Sequence, residues 1–215
     1  MTTLIIGAHG HVGQHIVKQL AATGETVYGG IRNAQQADTI KSLGGQPRMF
    51  DLMGTADAMV PAMNDIDTVI FSAGSGGSTG DDMTLNIDLD GAIKAMIATE
   101  KAGIKRFIMV SALGTDDRSF WEKSGIRPYY VAKYYADQWL RHRTNLAYTI
   151  LRPGMLTNDD PTGKITLDPA SSDTSAITRA DVAATVVAVV KHPLPGKIIE
   201  LVNGDVPVAD AVKGA

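Results

Sequence analysis

Three glycines near the start of the chain have the spacing of a phosphate-binding turn. Gly7, Gly10 and Gly13 form a Gly-x-x-Gly-x-x-Gly pattern directly after the apolar run Leu4-Ile5-Ile6. Glycine lets the backbone turn tightly and approach a bound group, and the free amides at a helix start favour an anion. The pattern predicts a pyrophosphate site between the first strand and the first helix. The alternative is a tight turn that holds no ligand.

A second set of residues is suited to acid–base chemistry. Tyr129 and Lys133 are four positions apart, so on a helix they lie on one face. A free phenol has a pKa of about 10, and a nearby ammonium lowers it because the ammonium favours the phenolate. Ser111 ends an apolar run 18 positions before Tyr129. The spacing of Tyr129 and Lys133 therefore predicts a phenol whose pKa is lowered.

These residues fall between strands and helices that alternate along the whole chain. The alternation predicts an α/β fold, a three-layer, doubly wound Rossmann-type sheet that is mostly parallel and has about seven strands. We expect one domain over residues 1–215. The predicted strands lie at 4–6, 26–31, a short segment that ends at 49–50, 68–71, 106–110, 148–151 and 197–202. The predicted helices lie near 12–20, 34–43, 55–63, 82–102, 128–143 and 182–190.

Composition excludes several classes of protein. Of the 215 residues, 44% are hydrophobic and 20% charged, which excludes disorder as the main state. The net charge of −3 argues against nucleic acid as a partner. The absence of cysteine excludes disulfides and thiolate ligands. No apolar run reaches the roughly 18 residues of a membrane span, and the N-terminus lacks the features of a signal peptide, so we expect a cytoplasmic protein with no membrane partner.

Together the glycine turn and the Ser, Tyr and Lys resemble the short-chain dehydrogenase/reductase superfamily. The resemblance covers essentially the whole chain and is strongest to atypical, single-domain NAD(P)-binding members, similar to the flavin-reductase-like and NmrA-like groups. It implies cofactor-binding roles for a set of residues that mostly follow the predicted strands, with one lysine on a helix: Gly7, His9, Gly10, His11, Val12, Arg32, Asp51, Leu52, Ser72, Ala73, Gly74, Lys133, Arg152, Pro153 and Gly154.

Several of these positions have a defined role in that resemblance. Asp51 matches the residue that meets the adenine amino group, and the turn at 72–74 matches one beside the riboses. The segment 152–154 matches one beside the nicotinamide. Arg32 follows the second strand, where NAD-binding proteins usually carry an acidic residue. Because a guanidinium suits a 2′-phosphate, we expect NADP(H) as the preferred cofactor, with NAD(H) as the alternative.

The resemblance also assigns catalytic roles to Ser111, Tyr129 and Lys133. Tyr129 would exchange a proton with a carbonyl or alcohol oxygen as hydride moves, Ser111 would hydrogen-bond the same oxygen, and Lys133 would hold the nicotinamide ribose. Two features depart from the pattern. Ser111 and Tyr129 are farther apart than in common members, and Asp88 lies near the position where many members carry Asn.

The expected function is NADP(H)-dependent hydride transfer to or from a small carbonyl or alcohol substrate, with flavin reduction as a variant. A non-catalytic, NADP(H)-sensing regulator of the NmrA-like type and a sugar-nucleotide epimerase or dehydratase are the alternatives. We expect the irregular stretches 113–127 and 155–177 to form the substrate region. Residues that could give it an apolar lining, or serve simply as packing anchors, are Leu113, Phe120, Trp121, Met155 and Leu156.

Three histidines in the first helix region also form a pattern. His9, His11 and His15 could suggest a zinc site, but two of them lie in the phosphate turn and no carboxylate is near in sequence. We therefore expect no metal.

Overall fold

The computed structural model describes residues 1–77 and 79–215, in which a nine-stranded sheet forms the centre. Its order is β11-β8-β10-β6-β5-β4-β1-β2-β3, and a separate pair joins β7 to β9. Seven neighbouring strands, from β3 to β10, are parallel, and β8 and β11 add an antiparallel edge. The strands are β1 Thr2–Ile6, β2 Thr26–Ile31, β3 Gln46–Met49, β4 Thr68–Phe71, β5 Arg106–Val110, β6 Ala147–Pro153, β7 Met155–Thr157, β8 Lys164–Thr166, β9 Ala176–Thr178, β10 Lys197–Asn203 and β11 Val206–Pro207.

Helices cover both faces of the sheet, so the predicted three-layer, doubly wound architecture is confirmed. The helices are α1 His11–Ala21, α2 Ala37–Ser42, α3 Ala56–Met59, α4 Asp81–Met83, α5 Ala92–Lys101, α6 Arg118–Lys123, α7 Arg127–Arg143, α8 Arg179–Lys191 and α9 Val208–Lys213. One apolar core lies under α1, α8 and α9, and a second lies under α3, α5 and α7.

The apolar spacing of the first helix explains how it docks. Val12, Ile16, Val17 and Leu20 recur at helical spacing and are all buried against the sheet. Burial of each such side chain stabilises the fold by about 1.5–3 kcal/mol. This packing fixes the N-terminus of α1 at the end of β1, which is where the glycine turn lies.

The long helix predicted over 82–102 contains a π-helical middle. Thr84–Gly91 has π-helical hydrogen bonding and joins α4 to α5. A π-helical turn inserts extra residues into a helix and shifts the side chains that follow, and such turns are frequent at functional sites. Here the π-helical segment packs against α7 and carries Asp88.

The structure contains helices and strands that the sequence did not predict, both in the stretches expected to be irregular and after the last predicted strand. The 113–127 stretch contains α6, and the 155–177 stretch contains β7, β8 and β9. Their strands have only three residues, so they are too short to show a clear alternating pattern in the sequence. The chain also forms β11 and α9 after the last predicted strand. Among the described residues, no helix is both long and apolar enough to cross a membrane.

Candidate functional site

A cavity of about 840 Å³ lies at the carboxyl ends of the parallel strands. In doubly wound sheets this edge is where ligands bind. Most of the residues expected at a cofactor or catalytic site line the cavity: Gly7, His9, Gly10, His11, Val12, Arg32, Asp51, Leu52, Ser72, Ala73, Gly74, Ser111, Tyr129 and Lys133.

The glycine turn has the geometry that its spacing predicts. Gly7 has a φ of +86°, and a Cβ added there would lie 2.6 Å from the Cα of Ala73. A Cβ on Gly13 would lie 2.2 Å from the carbonyl oxygen of Gly7. The amide of Gly10 donates to that same oxygen at 3.0 Å. Only glycine fits at the first and third positions, because both contacts are with backbone.

The start of α1 is open toward the cavity. Its N-cap residue is Gly10, which supplies no side-chain cap, and the first turn carries no acidic residue. The helix therefore keeps unpaired amides and a partial positive charge at its N-terminus. The buried hydroxyl of Ser72, on the facing turn, has no hydrogen-bond partner among the described residues. Both observations fit a bound dinucleotide, whose phosphates would meet the helix and whose ribose would meet the facing turn.

The end of the cavity beside β2 and β3 carries the side chains of Arg32 and Asp51. Arg32 follows β2, is exposed, and forms no ion pair with the described residues. Its backbone amide donates to Oε1 of Gln36 at 3.2 Å. Asp51 follows β3, and its Oδ1 accepts the amide of Met53 at 2.8 Å. The guanidinium of Arg32 is therefore available to an anionic ligand.

Tyr129 and Lys133 lie together at the other end of the cavity, on the first two turns of α7. The Nζ of Lys133 is 5.5 Å from the centroid of the Tyr129 ring. The same Nζ lies 3.1 Å from Oδ1 of Asp88, with exposed fractions of 4% for the lysine and 1% for the aspartate. The other oxygen of Asp88 accepts the amide of Ser75 at 2.9 Å. The π-helical segment therefore places the buried carboxylate of Asp88 in an ion pair with Lys133, the candidate catalytic lysine.

The pKa of the Tyr129 phenol shifts in the direction opposite to the one that the sequence predicts. Burial raises the pKa of the Tyr129 phenol above its usual value, and the ammonium of Lys133 offsets only part of that rise. The negative charges of Asp88 and Asp137 raise it further. Although burial acts to lower the pKa of Lys133, the facing carboxylate of Asp88 holds it above its usual value. In the free protein the phenol is therefore neutral, first because it is buried and second because Asp88, which the sequence did not pair with Lys133, adds a negative charge nearby.

Ser111 faces the cavity but donates its proton away from it. Its Oγ donates to Oδ2 of Asp137 at 3.0 Å. Arg152 is buried and binds the same oxygen through Nε at 3.1 Å, and its Nη1 donates to Asp116 at 2.6 Å. The structure does not bring Arg152, Pro153 or Gly154 to the cavity lining. Arg152 points instead toward the Asp137 carboxylate, which also binds Ser111, because a buried guanidinium is costly unless an opposite charge pairs with it.

Of the residues expected to form an apolar substrate lining, only Leu156 reaches the cavity. Trp121 is buried elsewhere, with its Nε1 donating to the carbonyl of Thr115 at 3.1 Å. Phe120 and Met155 are exposed. The direction of these side chains could not be predicted from the sequence, because an apolar residue in an irregular segment can pack inward or outward.

Two residues of the site region were missed by the sequence analysis. Asp137 continues the four-residue spacing of Tyr129 and Lys133 along α7, a signal that could have identified it. Arg179 is the first residue of α8 and lines the cavity, with Nη1 donating to Oδ1 of Asn158 at 2.9 Å. No motif marks it.

The chain is similar in sequence and in fold to several known proteins. The chain matches the family described as NAD(P)H-binding over residues 7–193. It is 41% identical to a Bacillus subtilis protein named uncharacterized sugar epimerase YhfK, with 99% of each chain covered. A solved structure from Bacillus halodurans, provisionally named an NAD-dependent epimerase/dehydratase, is 40% identical with a TM-score of 0.92 and full coverage of both chains. The oxidoreductase ylbE from Lactococcus lactis is 34% identical with a TM-score of 0.89, and the match covers 100% of this chain and 96% of that one.

Proposed function

The chain belongs to the NAD(P)H-binding family, and on this premise we propose that it is an NADP(H)-dependent oxidoreductase that transfers hydride to or from a small carbonyl or alcohol substrate. One observation carries the proposal: the glycine turn and the Ser111, Tyr129 and Lys133 side chains line a single cavity. A dinucleotide held at the glycine turn supplies or accepts hydride when bound.

NADP(H) is proposed over NAD(H) because of the charge at the adenine end. Arg32 is exposed at the end of β2, beside the cavity, where an acidic residue would favour a ribose with a free 2′-hydroxyl. A guanidinium instead binds a 2′-phosphate through a planar pair of donors.

Tyr129 is proposed as the residue that exchanges a proton with the substrate oxygen. Its phenol is neutral in the free protein, so it carries the proton that reduction of a carbonyl substrate requires. Lys133 lies within reach of that ring and would also hold the nicotinamide ribose. The substrate region is proposed to come from 113–127 and 155–177 of a single domain over residues 1–215.

The experiment that tests this function compares two neighbouring tyrosines. Calorimetry with NADPH and NADH establishes nucleotide binding, and turnover is then measured with a panel of small ketones and aldehydes. Tyr129→Phe should lower kcat by at least about 100-fold, the usual scale of general acid catalysis, with little change in NADPH affinity. Tyr130→Phe is the matched control: its ring contacts those of Phe120 and Tyr129, the substitution removes only a hydroxyl and keeps both ring contacts, and the variant should keep activity.

Two results would reject the proposal. Equal turnover in Tyr129→Phe would exclude its proton-transfer role. NADPH binding without turnover on any substrate, together with a protein partner whose affinity follows NADP(H), would instead support the regulatory alternative, which the enzyme names of the relatives do not favour.

A further inference from the structure

One cation of the cavity lining has no part in the proposed mechanism. Arg179 is the first residue of α8, is half-buried and lines the cavity. It forms no ion pair with any residue that the structure describes. Lys133, by contrast, pairs with Asp88, and Arg32 has the proposed 2′-phosphate as its ligand. Arg179 therefore brings a positive charge to the cavity that the described part of the chain does not neutralise.

The guanidinium of Arg179 is held through one of its nitrogens. Nη1 donates to the backbone carbonyl of Leu156 at 3.2 Å and to Oδ1 of Asn158 at 2.9 Å. An arginine has five N–H groups, and those on Nε and Nη2 have no acceptor among the described residues. Nε and Nη2 form a flat edge of the kind that binds a carboxylate through two parallel hydrogen bonds. The chain thus fixes one side of the guanidinium and leaves this edge for a ligand.

Helix stability does not explain a cation at this position. The N-terminus of a helix carries a partial positive charge, so a cation in the first turn is unfavourable there. Asp181, the acidic residue of the same turn, accepts hydrogen bonds from residues 162–163 and from Asn203 instead of pairing with Arg179. An amide side chain could make the hydrogen bonds to the β7 segment without adding a charge. The charge of Arg179 therefore points to an anion that is not part of the chain.

The anchor of Arg179 lies at the end of the cavity where Ser111 is. Leu156 belongs to β7, which follows β6 after one residue, and β6 pairs with β5, whose end carries Ser111. The glycine turn follows β1, which is three strand spacings from β6, or about 14 Å at about 4.8 Å per spacing. Helix α8 covers the same face of the sheet as α1, whereas α7, with Tyr129, covers the other face. Arg179 and Tyr129 therefore approach this end of the cavity from opposite faces of the sheet.

The surroundings of the free edge favour a short carbon chain that ends in a carboxylate. The lining includes the apolar residues Leu156, Ile126 and Pro128. Apolar walls with a small number of placed polar groups are typical of sites that fix the orientation of a small ligand. Asp51 and Asp81, the lining carboxylates that form no ion pair among the described residues, belong to segments that follow β3 and β4, whereas Arg179 is anchored beyond β6. An anion beside Arg179 thus meets a cation whose nearest anchors are neutral.

We propose that Arg179 binds a carboxylate on the substrate, so that the substrate is a small oxo acid, or the corresponding hydroxy acid in the reverse direction. The inference rests on the proposed hydride-transfer function and names its substrate class. In reduction the carbonyl carbon gains the hydride as the dinucleotide is oxidised, and the carbonyl oxygen gains the proton of Tyr129, which is replaced from solvent. The carboxylate is unchanged by the reaction and serves only to hold the substrate.

The first test compares oxo acids with their methyl esters, which have the same carbonyl but no charge. Turnover of 2-oxo, 4-oxo and 5-oxo acids and of their esters is measured with NADPH at about pH 7, where a carboxylate is ionised. The quantity of interest is the acid-to-ester ratio of kcat/KM, because its change between variants does not depend on the intrinsic reactivity of each carbonyl. Wild type should prefer at least one acid. Arg179→Gln should lower the ratio for that acid at least about tenfold, the scale of a lost hydrogen bond to a charged group.

Two further variants separate ligand binding from packing. Lys191→Gln removes a positive charge from the other end of α8, where the side chain is exposed and outside the cavity lining, and it should keep the acid preference. Arg179→Lys keeps the charge but loses the planar pair of donors, so it should recover part of the preference. If Arg179 only tied β7 to α8, Arg179→Gln would change acid and ester turnover equally.

The second test needs no turnover. Saturation-transfer NMR measures the binding of butanoate and of butanamide, which differ in charge but hardly in shape, to wild type and to Arg179→Gln with NADPH present and absent. Butanoate should bind wild type more tightly than butanamide does, and Arg179→Gln should abolish the difference. Calorimetry of both proteins with NADPH checks whether Arg179 contacts the dinucleotide.

The outcomes separate this inference from the proposed function. An acid-to-ester ratio that Arg179→Gln leaves unchanged, or a wild type that prefers none of the acids, would overturn the inference and leave hydride transfer standing. Weaker NADPH binding by Arg179→Gln with no change in butanoate binding would assign Arg179 to a phosphate of the dinucleotide and would also overturn it. Absence of nucleotide binding and of turnover in wild type would reject the proposed function, while the NMR comparison would still decide whether Arg179 holds a carboxylate.

Discussion

The buried carboxylate of Asp137 should make the folded chain less stable as the pH rises toward neutrality. Its folded-state pKa is about 6, against a reference value of 3.8. Between these values the folded chain holds a proton that the unfolded chain releases. Stabilisation from this group is therefore fully present below about pH 3.8 and is lost as the pH rises through about 6.

The size of the effect follows from the difference between the two pKa values. The difference is 6 − 3.8 = 2.2 pH units, which corresponds to about 3 kcal/mol at about 1.36 kcal/mol per unit. About 2 kcal/mol of this change falls between about pH 4.5 and pH 7. Because native domains are stable by only about 5–15 kcal/mol, the change is large enough to measure.

Urea unfolding of wild type and Asp137→Asn across this pH range measures it. The variant should be close to wild type at low pH, where both side chains are neutral, and more stable than wild type at neutral pH, where Asp137 is a buried charge that Arg152 only partly compensates. The informative quantity is the difference between the two free energies of unfolding, which should change by about 2 kcal/mol from about pH 4.5 to pH 7 in favour of the variant. Parallel curves at all pH values would show that Asp137 does not titrate in this range, and the electrostatic reasoning would then be wrong.

Three further substitutions test other parts of the site. Gly13→Ala forces a Cβ against the Gly7 carbonyl, so it should lower the free energy of unfolding by about 1–3 kcal/mol and weaken NADPH binding. Urea unfolding and calorimetry measure the two effects. The control is Gly77→Ala, where the added Cβ meets open space and little stability should be lost. Arg32→Ala should weaken NADPH binding by about 1.5–3 kcal/mol, the range for a hydrogen bond to a charged group, and leave NADH binding almost unchanged. Calorimetry measures both affinities, with Lys41→Ala as the control variant. An equal loss for both nucleotides would exclude a contact between Arg32 and the 2′-phosphate. Asp88→Asn removes a charge that raises the pKa of Tyr129, so that pKa should fall. Ultraviolet tyrosinate titration measures it, with Tyr129→Phe in the same background to identify the signal, and an unchanged pKa would show that the charge of Asp88 does not act on the phenol.

The main elements and the glycine turn could be predicted because their signals are local. Strand and helix periodicity reports which face of each element is buried, and the succession of elements restricts the topology to a parallel sheet. The residues at the strand ends then converge because parallel strands end at one edge. The elements that escaped prediction, α6 and β7 to β9, are short and gain their stability from tertiary contacts rather than from a local pattern.

By itself the sequence determined the doubly wound sheet, the glycine turn after β1 and the neighbouring Tyr129 and Lys133. Only the tertiary structure decided how the charges are shared. It pairs Lys133 with Asp88, it joins Ser111 to Asp137, and it turns Arg152 away from the cavity. Local spacing fixes which residues share a strand end or a helix face. The pKa values depend instead on burial and on charges contributed by distant segments, and those meet only when the chain is folded.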